Sequence, residues 1–367
     1  MKKINLEHVT KKAARWLLSQ LSTRHHVKAR TDKTERAKRI IVIRQHNQFG
    51  DVLCTVPLLR ALHRHFNPEE LAVVVSPANM TALEGCRYVT RLINYDKLAF
   101  YRHPKLLLRF IKELRRGYDL LLVPSNVSIS LTNDVISFFT KARTKFGPRT
   151  LETKSNRTSS VYDIAVDLRW GDKIEHQSFR NMEVAAPLRI ETHERDGELE
   201  YAIPADAAAE VDLFISRVSN RAAKKVAIHA GAGKPGNQWK PENFAAVADM
   251  LHHEFEIELY LTEGHMDHEV IDYLTTLLKA PFIRVRNMSI PFVGALLKKM
   301  DLVISNDTGI MHLAAAAGAQ TLSLFGPTDP LQWAPLGRQH RFVLGAKGDI
   351  NTIQVGRVVN VVRKMLT

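Results

Sequence analysis

The stretch DLVISNDTGIMHLAAAAGAQTLSLFGPTDP, residues 301–330, decides the fold of this chain. Its apolar run Leu302 to Ile304 predicts a buried strand, which a polar turn follows. A helix pattern then opens with Met311 and His312, and a second apolar run ends in another polar turn. The order of strand, turn, helix and strand is half of a nucleotide-binding α/β unit.

The turn before this helix brings hydrogen-bond donors together. The unpaired backbone N–H groups of a helix's first turn form a site for phosphate. His312 falls within that turn, where it could donate to a phosphate oxygen or a sugar hydroxyl. The alternative is a plain capped helix with a partly buried histidine. The segment alone does not separate these two interpretations.

A second polar turn follows another predicted buried strand, Arg39 to Arg44 (RIIVIR). The loop that comes next contains Gln48, Phe49 and Gly50, and Asp51 then opens a helix. A carboxylate at a helix N-terminus is held ionised by the helix dipole and can accept a proton. The alternative is a plain helix cap, which is the commoner role of such an aspartate.

The helix that opens at Asp51 is predicted as one element. Its apolar pattern continues to about Asn67. Pro57 within it is tolerable only close to the first turn, because proline lacks the N–H that an interior position must donate.

Four segments, in order along residues 39–330, resemble glycosyltransferase family 9, the ADP-heptose:lipopolysaccharide heptosyltransferases. The likeness lies in FGDVLCTVPLLRAL (49–62), HAGAGKPGNQWKPENFAAVAD (229–249), Asn287-Met288-Ser289 and SNDTGIMHLAAAAGAQTLSLFGPTDP (305–330). The resemblance implies an α/β fold of GT-B type, with two Rossmann-like domains facing a cleft. It also implies that the first domain holds the acceptor, that the second holds the nucleotide sugar, and that catalysis uses neither metal nor cofactor.

The same resemblance assigns roles to individual residues. Asp51 matches the proposed catalytic base of the family, with Gln48, Phe49 and Gly50 as its acceptor-side loop. Residues 307–312 match the donor-binding pattern D-T-G-x-x-H. The full set of predicted donor-binding residues is Asp307, Thr308, Gly309, His312, Met288, Gly233, Lys234, Asn237, Glu269 and Thr328. Met288 is expected beside the adenine and Glu269, by a weaker match, near the nucleoside.

One position departs from the family pattern. Many members have a lysine that binds the donor phosphates where this chain has Asn237. Lys234 or Lys240 supplies the missing charge, or backbone N–H groups and His312 hold the diphosphate without it. The departure leaves the identity of the donor open.

Other function classes find less support. Residues 231–236 (GAGKPG) fit the dinucleotide fingerprint of an NAD-dependent oxidoreductase, but Pro235 lies in the loop and the helix is predicted to begin only near Pro241. The formal net charge of +14 would suit nucleic acid, a lipid surface or a phosphorylated substrate. A nucleic-acid module is absent from the sequence, so nucleic acid is not an expected partner. Trp239 and Trp333 are expected to pack rather than to stack on a ligand.

The chain divides into four predicted parts. Residues 1–38 form a basic amphipathic extension and linker, 39–203 the first Rossmann-like domain, 204–350 the second, and 351–367 a helix that returns to the first. The extension either contacts the anionic inner membrane or packs on the enzyme. Without a predicted membrane span or signal peptide, the protein is expected in the cytoplasm, at most peripheral to the inner membrane. Residues 141–157 are predicted to be a basic loop, either free or touching the acceptor.

These patterns together predict an inverting, metal-independent glycosyltransferase. The predicted partners are a nucleotide sugar, by resemblance ADP-heptose, and an anionic lipopolysaccharide-core acceptor. A glycosyltransferase of the same fold that uses another nucleotide sugar is the alternative.

Overall fold

The computed structural model describes residues 36–45, 48–125, 127–168, 175–191, 193–219 and 223–367. Two compact units divide between Asp196 and Gly197, a few residues before the predicted boundary at Ile203. Most of the predicted N-terminal extension, with its predicted membrane contact, lies outside the described residues. Each unit contains its own sheet.

The first unit is built on a sheet in the order β3-β2-β1-β4-β5-β6, with β7 also paired to β5. All pairs are parallel except that of β5 and β6. The strands are β1 (Arg39–Ile43), β2 (Glu70–Val75), β3 (Arg91–Asn94), β4 (Tyr118–Leu122), β5 (Ala142–Leu151), β6 (Lys154–Ser155) and β7 (Ile164–Leu168). The central strands are almost wholly apolar because helices cover both faces of such a sheet.

Among the described residues of this unit, six α-helices accompany these strands. They are α1 (Phe49–Leu53), α2 (Val56–Phe66), α3 (Lys97–Arg102), α4 (Pro104–Leu114), α5 (Leu131–Phe139) and α6 (Gln177–Glu183). The predicted strands at residues 71–75 and 120–123, and the predicted helix at 106–115, correspond to β2, β4 and α4.

The single helix predicted from Asp51 to Asn67 is wrong. The structure breaks it at Cys54 and Thr55, between α1 and α2, and Pro57 stands at the start of the second helix. Proline cannot donate the hydrogen bond that a continuous helix requires there. The predicted end is confirmed, because Asn67 terminates α2 in the left-handed conformation.

The basic loop predicted at residues 141–157 is also wrong, since β5 and β6 occupy most of it. Two of its basic side chains have partners within the first unit: Arg149 pairs with Asp167, and Lys145 Nζ donates to the Ser137 carbonyl at 2.6 Å. The basic charge of the segment therefore hides a strand from sequence reasoning.

The second unit is a six-stranded parallel sheet in the order β10-β9-β8-β11-β12-β13. This is the order 3-2-1-4-5-6 of a Rossmann fold. Its strands are β8 (Lys225–His229), β9 (Glu258–Glu263), β10 (Phe282–Arg286), β11 (Leu302–Asn306), β12 (Thr321–Phe325) and β13 (His340–Leu344). Its helices are α7 (Ala205–Val218), α8 (Pro241–Phe255), α9 (His268–Leu277), α10 (Ile290–Lys298), α11 (Gly309–Ala317), α12 (Pro330–Trp333) and α13 (Val355–Leu366).

The C-terminal helix α13 corrects another prediction. Its apolar stripe of Val358, Val359, Val362 and Leu366 lies in the core of the second unit, where α13 packs on α8. The stripe itself is predictable from its helical spacing, but its partner is not.

In each sheet the first strand lies beside the fourth. The order in which strands are added to the sheet therefore reverses between β1 and β4 in the first unit and between β8 and β11 in the second. Ligands bind at the carboxyl ends of the strands at such switch points. Among the described residues, no helix combines the length and apolar character that crossing a membrane requires.

Candidate functional site

The loop after β8 is tied to the end of β11 by Asn306. This buried amide donates to the carbonyls of Ala230 (2.9 Å) and Gly231 (3.2 Å) and accepts the backbone N–H of Trp239 (3.1 Å). The Trp239 indole is itself buried and donates to the Ile353 carbonyl at 3.2 Å, which confirms its predicted packing role. These hydrogen bonds therefore fix the loop after β8 at the switch point of the sheet.

Three predicted donor-binding residues meet at this point. Asn237 Nδ2 donates to Asp307 Oδ2 at 3.1 Å and lies 3.4 Å from Thr328 Oγ1. They come from the loop after β8, the end of β11 and the turn after β12, so they are distant in the chain. A polar group of this kind can fix the orientation of a sugar or a phosphate.

The helix α11 begins directly beside this group. Thr308 occupies its N-cap position, but its side chain makes no capping hydrogen bond, and Gly309 opens the helix. His312 is buried in the first turn, with its ring edge-on to Trp333 at 6.0 Å between centroids. First-turn N–H groups that no side chain caps can bind an anion by donating hydrogen bonds to it.

Two other predicted residues, Gly233 and Lys234, lie on the exposed part of the loop after β8. The loop is held close at its base, where a Cβ on Gly231 would meet the Asp267 carboxylate at 2.0 Å. Lys240, the other predicted replacement for the family lysine, is exposed at the start of α8. The structure therefore brings Asn237, and neither lysine, into the Asp307 group.

Glu269 and Met288 form a second group, at the ends of β9 and β10. Both side chains are exposed, and no contact joins them directly. Their chain neighbours do meet, since His268 Nε2 and Asn287 Nδ2 lie 3.4 Å apart. Asn287 has a φ of 52°, which turns the chain sharply before Met288.

Sequence reasoning missed the ion-pair cluster beneath this group. The buried carboxylate of Glu263 accepts Arg284 Nη2 at 2.7 Å and lies 3.0 Å from Arg286 Nε. Its hydrogen bond to Arg284 raises the pKa of that guanidinium. The Glu263 carbonyl also accepts the Asn287 N–H at 3.1 Å, so the cluster fixes the turn that presents Met288. The available signal was a glutamate two residues after the apolar run Leu259 to Leu261.

A buried histidine stands behind the loop after β8. Burial lowers the pKa of His229, whose Nδ1 lies 3.0 Å from the Thr262 carbonyl and whose Nε2 lies 3.8 Å from the Asp267 carboxylate. The lowered pKa favours the neutral ring, which joins the carboxyl ends of β8 and β9 by hydrogen bonding to Thr262.

In the first unit, Asp51 lies in the short helix α1, at the carboxyl end of β1. Gln48 is the exposed N-cap residue, Phe49 is half-buried and Gly50 is buried. Asp51 therefore does not occupy the cap position, and the plain-cap interpretation is wrong. Its side chain is buried, with a relative exposure of 5%.

The partner of Asp51 is Arg44, a second residue that sequence reasoning missed. Arg44 Nη2 lies 3.5 Å from Asp51 Oδ2 and donates to the Asp51 carbonyl at 3.2 Å. Burial lowers the pKa of Arg44, and the Asp51 charge counteracts that shift. Two opposite buried charges compensate for each other's loss of water, and the contacts fix the carboxylate in place.

Comparisons with known proteins agree with this architecture. The family described as glycosyltransferase family 9 (heptosyltransferase) matches residues 107–356. The lipopolysaccharide core heptosyltransferase OpsX of Haemophilus influenzae is 25% identical over 305 residues, which cover 82% of this chain and 83% of the relative. Lipopolysaccharide heptosyltransferase 3 of Escherichia coli is 23% identical over 298 residues, covering 78% and 83%.

Solved structures share the fold. A glycosyltransferase family 9 protein from Veillonella parvula superposes with a TM-score of 0.79 at 18% identity, covering 90% of this chain and 97% of the other. The E. coli heptosyltransferase WaaC with ADP gives a TM-score of 0.71 at 17% identity, covering 89% and 99%. The fold is of GT-B type. Since the family match spans more than half of its residues, the chain belongs to glycosyltransferase family 9 and is a glycosyltransferase.

Proposed function

We propose that this glycosyltransferase transfers heptose from ADP-heptose to a lipopolysaccharide-core acceptor, with inversion and without a metal or cofactor. The observation that carries the proposal is the meeting of Asn237, Asp307 and Thr328 beside the start of α11. The relatives named for lipopolysaccharide core transfer support the acceptor class, and the WaaC structure with ADP supports the donor.

The second-unit group would act on the leaving group. As the glycosidic bond breaks, negative charge grows on the nucleoside diphosphate, and the N–H groups that open α11 would stabilise it. His312 would add a donor from the same turn. Because these donors are preorganised, they stabilise the transition state without further rearrangement.

Asp51 would act on the acceptor. Its carboxylate would take the proton from the acceptor hydroxyl as the oxygen attacks the anomeric carbon opposite the diphosphate. An aspartate is a weak base, with an ordinary pKa of about 3.9, so the proton moves in concert with attack. A single displacement of this kind inverts the anomeric centre.

The neighbouring candidate is transfer from another nucleotide sugar. Asn237 supports this alternative, since a neutral amide occupies the position where the family resemblance implies a phosphate-binding lysine. Both candidates use a charged, water-soluble donor, and for both we expect the reaction in the cytoplasm.

Calorimetric titration of the full chain with ADP, UDP, GDP, CMP and NAD in EDTA tests the donor. We expect ADP to bind most tightly and His312→Ala to weaken it, while His253→Ala, an exposed histidine on α8, leaves the affinity unchanged. Tightest binding of another nucleoside diphosphate would indicate a different sugar donor but leave the enzyme class unchanged. Preference for NAD would overturn the proposal.

Transfer itself is measured by incubating ADP-heptose with a heptose-deficient core acceptor in EDTA. NMR of the product should show the anomeric configuration opposite to that of the donor. Activity that returns only on adding a divalent cation would contradict the metal-independent mechanism.

A further inference from the structure

Two neighbouring helices of the first unit, α3 and α4, expose large apolar side chains to solvent. Leu98 is 71% exposed, Tyr101 90% and Leu108 67%. A single exposed leucine needs no explanation, but three such residues on adjacent helices form a candidate contact surface.

These side chains are not unused core residues. The inward side of the same helices is already filled by Phe100 and Phe110, whose rings lie 5.1 Å apart, and by Leu114. Tyr95 packs on both phenylalanines at 5.6 Å. Leu98, Tyr101 and Leu108 are therefore not part of the side of these helices that packs on the core.

Basic residues surround the exposed apolar ones. Residues 97–112 contain Lys97, Arg102, Lys105, Arg109 and Lys112, all exposed, and no acidic residue. On α4 the positions 105, 108, 109 and 112 have the spacing of a single helix face, so Leu108 stands among three cations. On α3, Leu98, Tyr101 and Arg102 have the same spacing.

The flanking acidic residues do not neutralise this charge. Asp96 Oδ1 accepts the Ala99 N–H at 2.9 Å, and Glu113 lies 3.5 Å from Arg91 and 3.8 Å from Arg116. Within the described part of the chain, none of the five cations forms an ion pair with a carboxylate.

We propose that this surface, Lys97–Lys112 on α3 and α4, docks the enzyme on an anionic lipid bilayer. Leucine and tyrosine side chains would enter the headgroup region, while the long basic side chains would keep their charges at the phosphates. Each cation near an anionic leaflet strengthens binding about fivefold. Nucleic acid fits less well, because only Tyr101 of the three exposed apolar residues could stack on a base, whereas Leu98 and Leu108 could not.

The proposal goes beyond the proposed function and is independent of it. It concerns residues of the first unit that lie outside the predicted extension 1–38. Binding to vesicles requires neither a donor nor turnover, so its failure would leave heptose transfer untouched, and failure of heptose transfer would leave it standing.

Co-sedimentation of the full chain with vesicles of phosphatidylglycerol and phosphatidylethanolamine tests the proposal at physiological salt. We expect Lys105→Glu/Arg109→Glu to reduce the partition coefficient roughly tenfold or more. Leu98→Ser/Leu108→Ser should reduce it by about tenfold as well, because the apolar contact is lost. Vesicles of phosphatidylcholine alone should bind the unaltered chain weakly.

Matched variants elsewhere provide the controls. Lys279→Glu/Lys347→Glu removes two exposed cations of the second unit, and Leu213→Ser/Met250→Ser removes two exposed apolar side chains from α7 and α8. Both should bind vesicles as the unaltered chain does, and circular dichroism should show every variant folded. Equal loss in test and control variants would overturn the proposal, as would loss of RNA binding with vesicle binding retained.

Discussion

The helix after β1 and the helix after β11 each follow a strand that borders the switch point of its sheet, yet they hold different polar groups. In the first unit Asp51 and Arg44 form a buried pair of opposite charges. In the second unit the neutral Asn237 amide contacts Asp307, and an uncapped helix N-terminus stands beside them. The shared topology sets where a ligand can bind, and the side chains set what each place can do.

The difference has a physical reason. A fixed, buried carboxylate is suited to one proton transfer at one position, and the adjacent guanidinium offsets the cost of its burial. A set of backbone N–H donors binds an anion that arrives with its own charge, and it needs no buried charge when the site is empty. Three of the four predictions below remove one element of this contrast, and one tests a buried histidine of the second unit; they run from the largest expected effect to the smallest.

Removing the charge of Asp51 should have the largest effect. Asp51→Asn keeps the shape of the side chain but cannot accept the proton, so we expect the transfer rate to fall about a thousandfold. The affinity for ADP, measured by calorimetry, should stay unchanged because the donor group lies in the other unit. The control Asp206→Asn alters an exposed aspartate of α7. Turnover retained in purified Asp51→Asn would exclude the base role.

Removing Arg44 should destabilise the first unit. Arg44→Met leaves Asp51 buried without this partner, and breaking a buried ion pair costs about 3 kcal/mol of unfolding free energy. Urea denaturation measures the loss, and Arg44→Lys should recover part of it together with activity. The exposed Arg143→Met serves as control, since surface pairs contribute little. Equal stability of Arg44→Met and the unaltered chain would show that the pair is not a structural requirement.

The second unit should respond to acid through His340. Burial lowers the pKa of His340 to about 4, against an ordinary value of 6.5, although Glu198 opposes the shift and Arg341 adds to it. Below pH 6.5 the unfolded chain binds a proton that the folded chain refuses, so this stability is present above pH 6.5 and is lost as the pH falls towards 4.

The expected loss over that pH range is about 3 kcal/mol. Its measurement is the unfolding free energy at several pH values in the unaltered chain and in His340→Gln. The variant should show a smaller pH slope, whereas His65→Gln, at an exposed position of α2, should leave the slope as it was. Identical slopes for His340→Gln and the unaltered chain would place the acid response elsewhere.

Changing Asn237 should have the smallest effect and would sharpen the contrast. Asn237→Ala removes the hydrogen bond to Asp307, and we expect ADP affinity to fall about tenfold, which corresponds to about 1.4 kcal/mol. Asn237→Lys restores the charge common in the family and should bind ADP at least as tightly as the unaltered chain. Lys234→Ala and Lys240→Ala are the controls. A larger loss in Lys234→Ala than in Asn237→Ala would move phosphate binding to the exposed loop.

Much of the fold was predictable because its signals are local. The apolar runs at β1 and β11 and the helical stripe of α13 have the spacing that their structure requires. The break between α1 and α2 was mispredicted, since the apolar pattern continues through Cys54 and Thr55 and only the hydrogen-bond demand of Pro57 interrupts it. The strand β5 was mispredicted as a loop because its charged residues hide the pattern of apolar residues that indicates a strand.

The residues of the candidate site also divide into those that the sequence could predict and those that it could not. Asp51 and the segment from Asp307 to His312 were predictable, because a polar turn between strand and helix marks a strand's carboxyl end. Arg44 and Glu263 were not predictable as parts of a site. Each follows apolar strand residues, and the neighbouring sequence does not indicate which side chain it contacts.

The sequence by itself determined the family, the two Rossmann-like sheets and the positions of the turns that carry Asp51 and Asp307, since these depend on short-range patterns. Only the tertiary structure decided which residues meet: Asn237 with Asp307 and Thr328, and Arg44 with Asp51. Sheet pairing and burial join strands that are far apart in the chain, and a buried charge or amide is then stabilised by whichever partner that pairing places beside it.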